Sequence, residues 1–222
     1  MNLQAIRILF LKDLFLSRRY LFAYFVAGLA ASAVVCIPNA TFTFIGFLLV
    51  ITVAISAGIH LIGTLMLSET TDQTRLFVMS LPISLLDYSI GKITVVLTTY
   101  LIPWTAMFIC LIMATFVMGK QGNVAILPAI FLFLLCAFML QLLTAVVSES
   151  VGWTICVMVG CNVGMNIFLM QLFANAEVAE VGKSNVLSWP NIILQIIGVE
   201  VLIIIVALAT AFLFQTRKRD LI

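Results

Sequence analysis

Charged side chains are scarce in this chain, and histidine is nearly absent. Only 9% of the 222 residues are charged, and His60 is the single histidine. A metal site built from several histidines of one chain is therefore excluded, and the clustered histidines and acids that intramembrane hydrolysis needs are missing. No glycine-rich loop followed by Lys and Ser/Thr occurs either, so we expect a chain that is not an enzyme and hydrolyses no nucleotide itself.

The cysteines form no recognisable metal or redox motif. No CxxC pair or Cys/His ligand spacing occurs, and all five cysteines lie in or at the ends of apolar segments. Free cysteine packs as a small hydrophobic side chain, so we expect a packing role here. The residues are Cys36, Cys110, Cys136, Cys156 and Cys161.

Apolar residues dominate instead, at 64% of the chain. A membrane-spanning helix needs roughly 20 mostly apolar residues, because the hydrocarbon core is about 30 Å thick and each residue rises about 1.5 Å. The apolar runs lack the two-residue alternation of barrel strands, and backbone groups cannot stay unpaired in lipid. The sequence therefore predicts an all-α, polytopic membrane protein, with one transmembrane domain over 1–222 and spans at about 20–37, 43–67, 93–117, 124–147, 151–173 and 192–214.

The basic residues predict the orientation of these spans, because cytoplasmic loops carry the excess of Lys and Arg. Nine of the eleven fall before the first span, between spans two and three, or after the last span, and only Lys120 and Lys183 lie in the opposite loops. We therefore expect both termini in the cytoplasm of a multi-pass cell-membrane protein. The net charge of +2 is then a topology signal and does not indicate nucleic-acid binding. A signal peptide cleaved at Ala31–Ala33 is the alternative, disfavoured by the long apolar region before its core.

The N-terminal segment, residues 2–18, is interrupted by charges and is not predicted to span. On a helical wheel Arg7, Lys12, Arg18 and Arg19 fall within an arc of roughly 140°. This pattern favours a helix lying in the inner interface, with its basic face toward anionic headgroups. The alternative is an ordinary positive flank that only sets topology.

The internal loop 68–92 is the most informative polar segment. Thr70–Gln73 and Ser84–Asp87 are capping-box patterns, and Pro82 between them disfavours helix at the residue before it. We expect a helix, a break, and a second helix that continues into span three. The apolar side chains of Leu76–Met79 are expected to be buried, either in the headgroup layer or against a protein partner.

The opposite loop, residues 174–190, is the other connection with room for structure of its own. It places apolar Val178, Val181 and Trp189 among charged residues. Because Trp prefers the membrane interface, we expect this loop to be partly ordered against the outer leaflet.

Short polar motifs occur in a set order around the first three spans. They are Leu11-Lys12-Asp13-Leu14 before span one, Glu69 after span two, Ser80-Leu81-Pro82-Ile83-Ser84, and Tyr88 with Gly91-Lys92 leading into span three. Together with the six spans and the cytoplasmic termini, these motifs resemble the permease subunits of ABC-2 type transporters. The resemblance covers the whole chain in architecture and about 25 residues in motif. It implies a dimer with a second copy or a homologous permease, driven by a separate cytoplasmic ABC ATPase dimer that holds ATP and Mg.

The resemblance also implies where that ATPase binds. The loop after span two would hold a coupling helix, the short turn at Glu149 would be a second contact, and the N-terminal helix would be a connecting helix. We define the coupling surface as Glu69, Asp72, Arg75, Leu81, Pro82 and Glu149. The alternative is that these residues form a solvated loop with helix caps. This chain itself is expected to carry no catalytic residue and to bind no cofactor or metal.

Polar residues inside the spans fall into two stripes that we call the threonine stripes. Such faces point to a bundle interior or a wet cavity, or they bond neighbouring helices. The sequence does not decide whether these residues line a transport pathway or pack against neighbouring helices. The stripes are Thr52, Ser56, His60 and Thr64 in span two, and Thr94, Thr98 and Thr105 in span three.

Spans five and six carry two further features. Gly160 and Gly164 are four residues apart, with Asn162 and Asn166 beside them, a pattern typical of closely packed helices and of a dimer contact. Glu200 lies nine residues past Asn191, about 14 Å deep by helical rise. A carboxylate there costs roughly 2.5–3.5 kcal/mol unless protonated or paired, so Glu200 is either part of the pathway or a neutral acid bonded to a neighbouring helix.

Two classes of function remain open. One is the permease subunit of an ABC-2 type exporter for an amphipathic or hydrophobic substrate, such as a peptide, lipid or drug. The other is an ATP-independent carrier or membrane assembly factor in which Glu200 and His60 are the working groups. An ATPase gene next to this one would decide between them.

Overall fold

The computed structural model describes residues 3–67 and 85–217. Six of the helices in these ranges are long and apolar enough to cross a membrane, which confirms the all-α fold and the multi-pass character. Within the described ranges we observe helices and turns but no strand. The helices are α1 (Leu3–Val35), α2 (Ala40–Ile62), α3 (Leu85–Val117), α4 (Asn123–Ser148), α5 (Val151–Ala174), α6 (Ala176–Lys183) and α7 (Asn191–Arg217), and a π-helical turn, Gly63–Leu67, extends α2.

Helix α1 joins the predicted interfacial segment and the first span in one continuous helix of 33 residues. The stretch of α1 that is long and apolar enough to cross a membrane is Ile6–Val35, which overlaps the predicted span at about 20–37. Residues 3–27 contain no Gly or Pro, and Leu, Arg, Lys and Phe all tolerate helix, so nothing local breaks the helix where the charges begin. The position of residues 3–18 at the membrane interface stays a prediction.

Helices α1 and α3 pack side by side in the same direction. A Cβ on Gly91 would lie 3.6 Å from Cβ of Leu9, and one on Gly28 would meet the side chain of Met107. Helix α2 returns antiparallel to α1, and Gly46 lies directly against the backbone of Val35. The expected continuation of the second loop helix into span three is confirmed, because α3 runs unbroken from residue 85.

Helix α4 is the centre of the bundle and packs against α2, α3, α5, α6 and α7. The ring of Tyr100 in α3 stacks on Phe138 at 3.8 Å between centroids, and the indole N–H of Trp104 donates to the carbonyl of Phe131 at 3.1 Å. These contacts make α3 and α4 antiparallel. They anchor two hydrophobic clusters, one in each half of the bundle.

The directions of the helices place both described ends of the chain at one end of the bundle. Helix α7 runs parallel to α4, because Ile193 near its start packs in one hydrophobic cluster with Ala125, whereas Ala207 packs in the other cluster with Ala145. The start of α1, the end of α4 and the end of α7 therefore share what we call the N-terminal end. That this end faces the cytoplasm stays the prediction from the basic residues.

Short polar connections close the opposite end. Asn39 caps α2, its side-chain oxygen accepting from the N–H of Thr41 at 2.9 Å. In the loop 174–190, expected to be partly ordered, α6 buries Val178 completely. The loop packs over Gly122, whose N–H donates to the carbonyl of Ser184 at 3.2 Å.

Candidate functional site

Glu200 is the most unusual polar side chain of the described residues. It is only 5% exposed, and neither carboxyl oxygen has a hydrogen-bond partner among the residues that the structure describes. It lies on the narrow buried stripe of α7, seven residues after Ile193 and seven before Ala207. The stripe faces α4, since α4 and α7 form one of the most extensive helix contacts. The predicted deep acid is thus placed inside the helix bundle and away from its lipid-facing surface.

A second buried polar group lies on α4. Gln141 is 5% exposed, and its Oε1 has no hydrogen-bond donor in the described part of the chain. Burying an unpaired polar oxygen costs free energy, and the cost is far greater for an ionised carboxylate than for a neutral acid or amide. The physical argument therefore favours a neutral Glu200 carboxyl group in this setting.

We expect Glu200→Gln to leave the protein folded and Glu200→Lys to destabilise it. The amide replaces a neutral acid of the same shape, so the melting temperature in detergent should move by less than about 4 °C. A Lys at this depth costs roughly 2.5–3.5 kcal/mol, so that variant should lose folded protein. Glu177→Gln, on exposed α6, is the matched control. Equal destabilisation by Gln and Lys would contradict a neutral carboxyl group.

His60 joins α2 to α1 through two tyrosines. The hydroxyl of Tyr24 lies 2.8 Å from Nδ1 of His60, and the ring of Tyr20 packs edge-on at 4.6 Å between centroids. A phenol can donate to a bare ring nitrogen or accept from a protonated one, so either tautomer satisfies this bond. The only histidine therefore has the interhelical partner that a packing role requires.

The residues of the threonine stripes differ in exposure. Four are exposed on the surface of the bundle, namely Thr52, Ser56, Thr94 and Thr105, whereas His60, Thr64 and Thr98 are half-buried. The threonine hydroxyls donate to carbonyls one turn earlier on their own helices at 2.7–2.8 Å; Thr52, for example, donates to Leu48. A pathway role for the stripes stays a prediction that would need a second wall from outside this chain.

Helix α5 keeps one face open. It packs chiefly on α4, and only 17% of its span is buried. A Cβ on Gly164 would touch the ring of Phe133 at 3.7 Å, whereas one on Gly160 would meet no atom of the described residues within 4 Å. The amide of Asn166 donates to the carbonyl of Asn162 at 2.9 Å. Of the predicted packing residues, Gly164 is therefore used within the chain, and Gly160 lies on the open face.

Most of the coupling surface lies outside the described residues. This applies to Glu69, Asp72, Arg75, Leu81 and Pro82. Glu149 is described: it ends α4 in a left-handed conformation with φ of 50°, and its N–H donates to the carbonyl of Ala145 at 3.2 Å. This turn lies at the N-terminal end of the bundle, the end at which α2 stops and α3 starts.

Two residues of interest were not predicted from the sequence. Tyr24 is 36 positions from His60, and no local pattern connects them. Gln141 stood within an apolar run with no periodic partner. A polar residue in a span is itself a signal worth following, and Gln141 should have been noted on that ground.

Comparisons of the chain with protein-family models, with curated protein sequences and with solved structures each found no match. The function is therefore argued from the chain itself.

Proposed function

We propose that this chain is the membrane subunit of an ABC-2 type exporter in the cell membrane. A separate cytoplasmic ATPase dimer would supply the energy, and the cargo would be amphipathic or hydrophobic, such as a peptide, lipid or drug. One observation carries the proposal: described helix ends next to the predicted coupling surface lie at the same end of the bundle. The ends that flank residues 68–84 and the turn at Glu149 both lie there, with the start of α1.

Helix lengths support the same arrangement. Helices α1 and α3 contain 33 residues each, which is about 50 Å by helical rise and exceeds the hydrocarbon thickness of about 30 Å. The charged residues of α1 all precede Tyr20, so the excess length belongs at the N-terminal end. Two parallel helices that emerge together beside Glu149 would give a cytoplasmic partner a firm platform.

A dimer is part of the proposal. The open face of α5 presents Gly160 with free space around it, and a small residue there lets a second helix approach closely. A second copy or a homologous permease would cover the exposed residues of the threonine stripes and complete the lining of a pathway.

One observation favours the second candidate function, an ion-coupled carrier. A buried carboxyl group with no hydrogen-bond partner among the described residues, as at Glu200, is the kind of group that takes up and releases a proton in carriers. His60 contributes less to this candidate, because Tyr24 already satisfies its Nδ1.

Photo-crosslinking tests the partner. A photoreactive amino acid at Glu149 is expected to capture a nucleotide-binding protein in cells, identified by mass spectrometry, because this turn belongs to the coupling surface. The matched control places the same group at Gln121, an exposed residue in a short turn at the opposite end. Capture from both positions would show that the crosslinking is not specific to the coupling surface. Capture from neither, together with no co-purification in mild detergent, would favour the ion-coupled carrier.

A further inference from the structure

A cavity of about 300 Å³ opens at the opposite end of the bundle, between the starts of α2 and α4. Leu111 and Thr115 near the end of α3 form its floor, and Phe47 and Ile130 contribute to its walls. It shares no residue with the coupling surface or the threonine stripes. The proposed transporter function therefore leaves this cavity without a role.

The interior of the cavity is apolar. Leu111 and Ile130 are each 1% exposed, so the inner wall of the cavity consists of core side chains. Asn123 lies at the rim and Ile130 lies seven residues further along α4, so the cavity extends about 10 Å along this helix. Half of the hydrocarbon core is about 15 Å thick, so the cavity lies within one leaflet.

The mouth of the cavity faces the lipid. Phe44 and Phe173 contribute to the lining and are 62% and 51% exposed. Both belong to membrane-spanning helices, where exposed aromatic side chains contact acyl chains. A ligand that resides in the leaflet has direct lateral access, whereas a soluble ligand must cross the headgroup layer.

A single cation marks the rim. Lys120 is the charged member of the lining, which contains no carboxylate, and its side chain is exposed. The backbone N–H of Asn123 already donates to the carbonyl of Lys120 at 3.1 Å, and that of Val124 donates to Gln121. The ammonium group of Lys120 is therefore the charged group at the rim that can pair with an anion.

We propose that this cavity binds an acyl chain of an anionic phospholipid from the adjacent leaflet, with Lys120 paired to the headgroup. The charge complementarity is of the kind that attracts juxtamembrane basic residues to anionic lipid. The site stands on the cavity and its rim alone, so it does not depend on an ATPase partner.

Native mass spectrometry of the purified full chain tests the site. The protein is supplied with equal amounts of phosphatidylglycerol and phosphatidylcholine carrying the same acyl chains, and the ratio of bound lipids is measured. We expect the wild type to favour phosphatidylglycerol by about fivefold, because the attraction of one Lys to anionic lipid corresponds to a ratio of this size. Lys120→Gln should bring the ratio close to one. Lys183→Gln is the matched control, since Lys183 is exposed at the same end but does not line the cavity.

A second variant tests the acyl chain. Ala40 is an exposed lining residue at the start of α2, so Ala40→Phe fills the mouth without disturbing buried packing, and it should reduce the binding of both lipids. Unchanged lipid binding in Ala40→Phe would overturn the site. An equal effect of the two Lys variants would also overturn the site, because it would indicate diffuse surface charge. Displacement of the lipid by soluble glycerol phosphate would overturn it too, because it would indicate a site for an anion only.

Discussion

Reversing the charges of Glu69 and Asp72 together, as E69K/D72K, is expected to abolish transport-coupled ATP hydrolysis while the spans stay folded. Both acids belong to the proposed coupling surface, where a basic patch on the ATPase would oppose them. Like charges brought together at an interface cost several kcal/mol, and 1.4 kcal/mol is a factor of ten. Coupled hydrolysis in proteoliposomes should therefore fall by roughly tenfold or more.

The matched control for this variant reverses two acids elsewhere. Glu177 and Glu180 lie exposed on α6 at the opposite end of the bundle, so E177K/E180K makes the same change in net charge away from the proposed partner. It should retain coupling. If E69K/D72K hydrolyses ATP normally in a complex that still forms, the partner is retained but the coupling surface is misplaced. This outcome leaves the lipid site untouched, because that site lies at the other end.

Gly46→Ala is expected to lower the melting temperature of the protein by about 5–10 °C. A Cβ at this position would lie 2.6 Å from the backbone nitrogen of Val35 and 2.8 Å from its side chain. A backbone atom cannot move aside as a flexible side chain can, so α1 and α2 must separate. Overpacking of this kind costs about 1–3 kcal/mol, and each 1 kcal/mol shifts the melting temperature by about 2–4 °C at this chain length.

Gly198→Ala provides the comparison. A Cβ there would meet nothing within 4 Å, and Ala is the better helix former, so this variant should be as stable as the wild type or slightly more stable. Thermal unfolding in one detergent measures both variants. Equal melting temperatures for the two would show that the α1–α2 contact is looser than described.

The membrane spans could be predicted because the signals that define them are local. An apolar run of about 20 residues and the helical continuation into α3 each depend on neighbours in the chain. The continuity of residues 3–18 with the first span was not predicted, for a related reason. Charges end an apolar run, but they do not end a helix, and residues 3–27 hold no Gly or Pro.

The candidate sites were predicted less well, because their partners are far apart in the chain. The sequence showed that His60 and Glu200 are polar residues in apolar spans, and it left open what they contact. His60 meets Tyr24 across 36 positions, and Cys136 meets the backbone of Glu200 across 64. Such contacts depend on which helix faces pack together, and six apolar helices can be paired in many ways that share one hydropathy profile.

The sequence by itself determined that this is a six-span helical membrane protein, since the bilayer acts on every span separately and requires only length and apolar composition. Tertiary structure alone decided that Glu200 is buried with no hydrogen-bond partner among the described residues, and that four residues of the threonine stripes are exposed. It also decided that the ends of five helices enclose a cavity beside Lys120. The physical reason is that close packing between helices is set by the shapes of side chains brought together from distant segments.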